Sequence, residues 1–383
     1  MIYLDNSATT KVIPEVVDVM TDIMKNMYGN PSSLHGLGVK AERLIETSRK
    51  ILAQELGAQP QEIVFTSGGT EANNLAIRGT IESYGHRGKH IITTMIEHPS
   101  VYDLFQKYEQ EGWQVTYLPV DQQGKVNLAA LKQALTKDTV LVSVMHVNNE
   151  TGVIQPVEQI GEILKQYPKT LFHVDAVQSF GRLPLHPVKH QIDLLTFSGH
   201  KIHGPKGIGA LYIQKNRRIA PMLIGGGQEY DLRSGTQNVP GIAGLAKALL
   251  WIKQKRVARL PAMESWKQAF LKSIEQIPLV KVNGAINRID SVPYIINLSF
   301  PGLKSEVVVH ALEAENCYVS SRSACSSRTE KVSRVLQAMG ASDQQAIGSI
   351  RISLGFLSEA DDLNRLSQRL CKVIPQLQRV MKV

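Results

Sequence analysis

Asp175 closes the apolar run Leu171-Phe172-His173-Val174, and Lys201 ends Ser198-Gly199-His200-Lys201 after a second apolar run, Leu194 to Phe197. A lysine amine can hold an aldehyde covalently, and a carboxylate against a pyridine nitrogen keeps that ring protonated, so that it draws electrons from a substrate α-carbon. Together the two residues read as the two ends of a pyridoxal phosphate site. Taken singly, each has a plainer reading, as a solvated surface lysine and a turn-forming aspartate. A third segment adds weight: the strand-like Ile63-Val64-Phe65 runs into Thr66-Ser67-Gly68-Gly69-Thr70-Glu71-Ala72. Two glycines permit a tight turn, and the free N–H groups of the helix that follows favour a phosphate dianion. A capped helix after a glycine turn accounts for that segment alone more simply. Ser198 and His200 supply further donors for a phosphate, and Gln178, three residues after Asp175, can reach a ring hydroxyl.

Other residues fall where such a site would need them. His98 follows the run His90 to Thr93, at the strand end where ligands bind in open α/β folds, and an imidazole there could stack on a pyridine ring and move protons. Asn148-Asn149-Glu150-Thr151-Gly152 follows Val140 to Val144 and presents amides at the same edge, although an Asn-rich turn explains it equally well. In Ser349-Ile350-Arg351-Ile352-Ser353 the alternation sets Arg351 opposite its two isoleucines, and a planar guanidinium suits a substrate α-carboxylate. A surface arginine on a strand has the same pattern.

The elements that must carry these residues alternate. Short β-branched runs at Glu62 to Phe65, His90 to Thr93, Val140 to Ser143, Leu171 to Val174, Leu194 to Phe197 and Gly209 to Ile213 are separated by helix-spaced segments such as Ala41 to Glu55 and Pro156 to Gln166. This is the pattern of a mostly parallel sheet wrapped by helices. A helical stretch from Val239 to Gln276 crosses Pro261, where a break or kink is expected. Strands at Tyr294 to Ser299 and Ile350 to Leu354, with helices at Ser305 to Glu315, Lys331 to Met339 and Glu359 to Val380, form a smaller α+β domain. The expected division is residues 15–259 as a large α/β domain and 1–14 with 260–383 as the small one.

With 383 residues the chain exceeds one ordinary core, and 43% hydrophobic and 20% charged residues are globular values that exclude disorder. No basic leader or eighteen-residue apolar stretch opens the chain, which reads as cytoplasmic and without a membrane span. Cys317, Cys325 and Cys371 form no CxxC pair, which argues against a disulfide framework or a metal site and leaves room for a working thiol. The net charge of +9 is uneven: residues 1–200 carry −4 and residues 201–383 carry +13. No arginine-rich run interleaved with aromatics accompanies the basic half, so an acidic protein partner is expected over direct nucleic-acid binding.

The ordered segments Tyr3 to Thr10, Gly29-Asn30-Pro31-Ser32-Ser33, Thr66 to Glu71, Asn148 to Gly152, His173 to Ser179, Ser198 to Lys201, Arg233-Ser234-Gly235-Thr236 and Ser323-Ala324-Cys325 resemble the cysteine desulfurases of the class V aminotransferase superfamily, nearly end to end. The longer cysteine segment, Ser320 to Met339, is similar to that of the nitrogen-fixation and housekeeping iron–sulfur branch. The resemblance implies a fold-type I homodimer with a seven-stranded, mostly parallel sheet and pyridoxal 5′-phosphate as cofactor. It implies that Lys201 holds the cofactor aldehyde, Asp175 the ring nitrogen, Gln178 the ring oxygen and His98 the ring face. Gly69, Thr70, Ser198 and His200 would hold the phosphate, with Thr236 reaching across from the other subunit, and Asn149 and Arg351 would hold the substrate carboxylate. Cys325 would take sulfur from L-cysteine and leave L-alanine. To meet both a buried substrate and an external acceptor it needs a loop, as the polar stretch Ser320 to Thr329 provides.

Two departures from the family pattern shape the expectation. Arg322 stands where the family commonly has glycine, which restricts the loop or adds a contact. The chain also ends at Val383, short of the longer tail by which housekeeping members dock an iron–sulfur scaffold, so a dedicated acceptor such as a thiolation enzyme of tRNA or thiamine synthesis is expected ahead of the alternative, a scaffold of iron–sulfur biosynthesis. Arg322, Arg328, Lys331 and Arg334 would give Cys325 a positive rim that favours its thiolate. Other class V aminotransferases and selenocysteine lyase share the cofactor residues without needing Cys325. A cofactor-binding scaffold without activity would not need His98, Lys201, Cys325 and Arg351 together.

Overall fold

The structure is a computed structural model that describes residues 1–321 and 332–381. Cys325, Arg322, Arg328 and Lys331 lie outside the described residues. Seven strands form the central sheet in the order Ile63–Thr66, Gly209–Ile213, Leu194–Ser198, Leu171–Asp175, Thr139–Met145, His90–Thr94 and Gln114–Leu118. Gly209–Ile213 alone runs against its neighbours. Every residue of the six strands from Ile63–Thr66 to His90–Thr94 in that order is buried, as β-branched strands covered on both faces require. The edge strand Gln114–Leu118 is half exposed and polar at its start, so its run of Gln-Val-Thr-Tyr-Leu carries no continuous apolar signal; the sequence pattern missed it.

All six parallel strands point their C-terminal ends the same way. Turns carrying Gly69 and Thr70, His98, Asn149, Gln178 and Lys201 therefore meet on one edge of the sheet. A two-stranded parallel pair, Ile2–Tyr3 with Cys317–Tyr318, and a three-stranded antiparallel sheet of Ser349–Ser353, Ile295–Ser299 and Lys281–Asn283 make up the remaining β structure among the described residues. The first residues thus pack with the last third of the chain: Asp5 bridges to Ser353, and Asn6 donates its backbone N–H to the Ser353 carbonyl at 3.2 Å.

Two helices differ from the expected continuity or bounds. Helix Val239–Ile274 is continuous through Pro261 for 36 residues, so no break falls there. Pro261 and Val257, whose carbonyl loses its helical partner, are both exposed, so water can take that bond. The helix expected at Lys331 to Met339 is confined, among the described residues, to Arg334–Ala338, because Ser333 is its cap and its hydroxyl accepts the Leu336 N–H at 3.2 Å. No helix of the described residues is long and apolar enough to cross a membrane.

Candidate active site

A cavity of about 150 Å³ opens at the C-terminal strand edge, lined by Gly69, Thr70, His98, Asn149, Asp175, Gln178, Ser198, His200, Lys201 and Arg351, together with Ser7, Asn73 and Ser100. Ten of the eleven candidate residues that fall among the described residues thus converge. Thr236 does not; it is exposed and lines no part of this cavity.

The phosphate end depends on close backbone approach. A Cβ on Gly209, in the reversed strand, would stand 2.7 Å from the Phe197 carbonyl oxygen and 2.8 Å from the Gly68 Cα, so only glycine lets the turn settle against the sheet. Helix Gly69–Tyr84 starts there with free N–H groups facing the cavity mouth. Ser198 Oγ is buried without a hydrogen-bond partner. His200 bonds Thr9 Oγ1 through Nδ1 at 3.2 Å, and burial, helped by Lys201 and Lys206, pushes its pKa down to about 3, so it is a neutral donor or acceptor here.

At the ring end, Asp175 pairs in register with Met145 and Thr196 at the middle of the sheet. Its Oδ1 accepts the Val177 N–H and its Oδ2 accepts from Asn73 Nδ2, both at 2.9 Å, which fixes the carboxylate while leaving lone pairs for a ring nitrogen. His173, below it on the strand, is held neutral by burial, its pKa down to about 3, between Ser143 and Thr196. Gln178 Oε1 is buried and unpartnered, while its Nε2 donates to the Ser7 carbonyl at 3.1 Å. The Lys201 amine donates to the Ser7 and Ala8 carbonyls, the latter at 2.9 Å. An unpartnered Ser198 hydroxyl, an unpartnered Gln178 amide oxygen that can accept from a ring hydroxyl, a fixed carboxylate and an amine, all around one cavity, match the polar groups that pyridoxal phosphate requires.

His98 caps helix Pro99–Gln110, and its Nδ1 accepts the Ser100 N–H at 3.2 Å, which places the ring proton on Nε2. Burial, outweighing the Asp175 charge, keeps that ring neutral. Arg351 is already engaged on both terminal nitrogens. Its Nη2 pairs with Asp5 Oδ1 at 2.8 Å and its Nη1 donates to the Asn149 carbonyl at 3.1 Å, leaving Nε–H buried and unpartnered. A substrate carboxylate would take the remaining donors, with Asp5 orienting the guanidinium.

Sequence reasoning missed the supports: Asn73, Ser100, Asp5, and the carbonyls of Ser7 and Ala8. Asn73 was findable, since it sits one helical turn after Thr70 on the same face. The positive rim also loses a member. Arg334 donates to the carbonyls of Met95 and Glu97 and lies 3.3 Å over the Tyr102 ring, so it ties helix Arg334–Ala338 to the turn before His98.

That turn holds a buried acid. Glu97 Oε1 accepts from Thr94 Oγ1 at 2.7 Å and from the Met145 N–H at 2.9 Å, and Oε2 has no partner. Burial, with the Asp175 charge added, pushes its pKa from 4.5 up to about 8. The unfolded chain releases this proton near 4.5, whereas the folded one keeps it to about pH 8, so stability from the neutral form is whole below 4.5 and lost as pH rises to 8. Glu97→Gln should therefore flatten the fall in unfolding free energy between pH 5 and pH 8, by up to a few kcal/mol at about 1.4 per pH unit. Denaturation midpoints for both proteins at the two pH values check this; parallel losses would refute it.

An amine and a carboxylate facing across one cavity on a mostly parallel seven-stranded sheet define a fold-type I enzyme dependent on pyridoxal phosphate. The family model described as "Aminotransferase class-V" matches residues 2–366, and the chain belongs to that family. It is similar to a putative cysteine desulfurase IscS 1 of Bacillus subtilis, at 42% identity over 98% of this chain and 99% of that one. A solved NifS-like protein superposes with a TM-score of 0.92 at 37% identity, covering 98% and 99% of the two chains. SspA, solved in complex with cysteine, superposes with a TM-score of 0.80 at 34% identity, covering 92% and 99%.

Proposed function

We propose that the chain is a cysteine desulfurase that moves sulfur from L-cysteine to Cys325 and on to an acceptor protein. The observation that carries the reading is the single cavity joining Lys201, Asp175, His98, Asn149 and Arg351, set within a chain similar along its whole length to cysteine desulfurases. When bound, pyridoxal phosphate supplies an electron sink for the substrate α-carbon. Asp175 keeps the ring nitrogen protonated, Ser198, His200, Thr70 and the Gly69 turn grip the phosphate, and Gln178 reaches the ring oxygen. Lys201 Nζ anchors the aldehyde and then takes the α-proton, with His98 Nε2–H against the ring. Asn149 and Arg351 hold the substrate carboxylate.

The Cys325 thiolate then attacks the substrate sulfur. A sulfur–sulfur bond forms as the carbon–sulfur bond breaks and its electron pair stays with the β-carbon; a proton taken up there and return of the α-proton from Lys201 give alanine, while Cys325 keeps the persulfide. The reading includes a homodimer in which Thr236 serves the partner's phosphate. Its exposure, on an arm that follows the left-handed turn Glu229-Tyr230-Asp231, pinned by the buried Arg49–Glu229 ion pair at 2.8 Å, supports that role. It also takes residues 15–259 as the cofactor domain and 1–14 with 260–383 as the domain that carries the cysteine, in a cytoplasmic protein.

Labelled cysteine tests the core of this. Alanine should form in step with label on Cys325, and alanine without protein-bound sulfur would favour another lyase of the family. With Arg334 committed to the His98 turn, the rim cations toward an acidic acceptor are Arg322 and the pair Arg328 and Lys331. Charge reversal at that pair should leave cysteine turnover with a small reductant intact and slow persulfide transfer to the acceptor about tenfold, most clearly at low salt. Equal transfer rates at all salt concentrations would sink that docking role.

A further inference from the structure

Arg182 follows Gln178 by one turn, is 1% exposed, and enters none of the ion pairs among the described residues. A buried guanidinium without a carboxylate is costly, and an apolar side chain of similar volume would serve packing as well. Its bonds show what it does instead. One Nη donates to the backbone carbonyl of Lys201, and the guanidinium lies 4.6 Å above the ring of Tyr294. Tyr294, wholly buried at the entrance to strand Ile295–Ser299, turns its hydroxyl to the Gln178 carbonyl at 2.9 Å.

The stacked pair thus bonds two loops at once. One loop leaves strand Leu171–Asp175 with Gln178 and Arg182; the other leaves strand Leu194–Ser198 with Lys201. We propose that Arg182 and Tyr294 are positioning residues that fix the Lys201 and Gln178 backbones relative to each other, so that amine and amide meet opposite parts of the cofactor together. The inference rests on the cofactor reading of this cavity. Arginine suits the task because its planar fork can donate in plane to a carbonyl while its face stacks on an aromatic ring, which lysine can imitate only in part. Arg182 Nε, also buried, has no partner, so the side chain is held by this stack and that carbonyl rather than by a wider polar network.

Full-length protein stripped of cofactor and reloaded with pyridoxal phosphate gives a test independent of turnover. Covalent capture is followed by borohydride trapping and mass measurement, and ring orientation by visible ellipticity per bound cofactor, with far-ultraviolet dichroism as a check on folding. Tyr294→Phe keeps the stack and removes the hydroxyl with its bond to Gln178 and its interaction with Arg182; it should fold normally yet capture cofactor about tenfold more slowly, with visible ellipticity about halved. Arg182→Lys should be impaired similarly, and Arg182→Met more severely. If Arg182→Met does not fold, the other two variants decide. Folded Tyr294→Phe and Arg182→Lys proteins with wild-type capture rate and ellipticity would overturn the inference. Failure of the wild-type chain itself to capture cofactor would instead overturn the cofactor reading on which it rests.

Discussion

Lys201→Ala will lose the visible absorbance of lysine-linked cofactor and, with it, cysteine turnover by about three orders of magnitude or more. Among the described residues lining the cavity, Lys201 supplies the only primary amine. The phosphate grip proposed for Ser198, His200 and the Gly69 turn is untouched by the change, so the variant should still bind cofactor, now as free aldehyde with its shorter-wavelength band. No mass should be added to the protein after borohydride treatment. The loss also frees the Ala8 carbonyl and leaves the Ser7 carbonyl with Gln178 alone, a local cost that leaves the sheet intact. A borohydride-fixed linkage at wild-type yield and wavelength would end the assignment.

Cys325→Ser should keep the cofactor spectrum and bind cysteine, yet form persulfide and alanine at least about a hundredfold more slowly, because a serine hydroxyl stays protonated and attacks sulfur poorly. The other cysteines provide the contrast. Cys317 is fully buried in the short strand beside Ile2, and burial raises its thiol pKa, so it is not poised as a nucleophile. Cys371 packs part-buried against the core with Sγ near Gln276. Cys317→Ser should cost about 1–3 kcal/mol of stability from a buried hydroxyl and leave persulfide formation unchanged. Comparable alanine production by Cys325→Ser and wild type would rule out the nucleophile.

The strands that deliver the site were legible because each is buried on both faces and so reads as an uninterrupted β-branched run, with a chemically distinctive residue at its C-terminal end. Asp175, Lys201 and His98 follow directly from that layout. What was not legible depends on contacts across long stretches of chain. Asp5 against Arg351, and Ser7 and Ala8 against Lys201, are separated by hundreds of residues, and no local spacing announces them. Arg334 looked like a rim charge because its neighbours in sequence are basic, whereas its neighbours in space are two carbonyls and a tyrosine ring.

The pairing of the first residues with the last third of the chain bears on how the protein is made. Ile2 needs Cys317 beside it and Asp5 needs Ser353 and Arg351, yet those partners leave the ribosome more than 300 residues later. At roughly 5–20 residues per second, the leading segment waits on the order of tens of seconds for them. Ser7 and Ala8, which receive the Lys201 amine, sit on that waiting segment. The large sheet can form around Asp175 and Lys201 before the last third of the chain is made, but the mouth of the cavity is completed only once Arg351 and Ser353 have emerged, so cofactor loading is expected to wait for them.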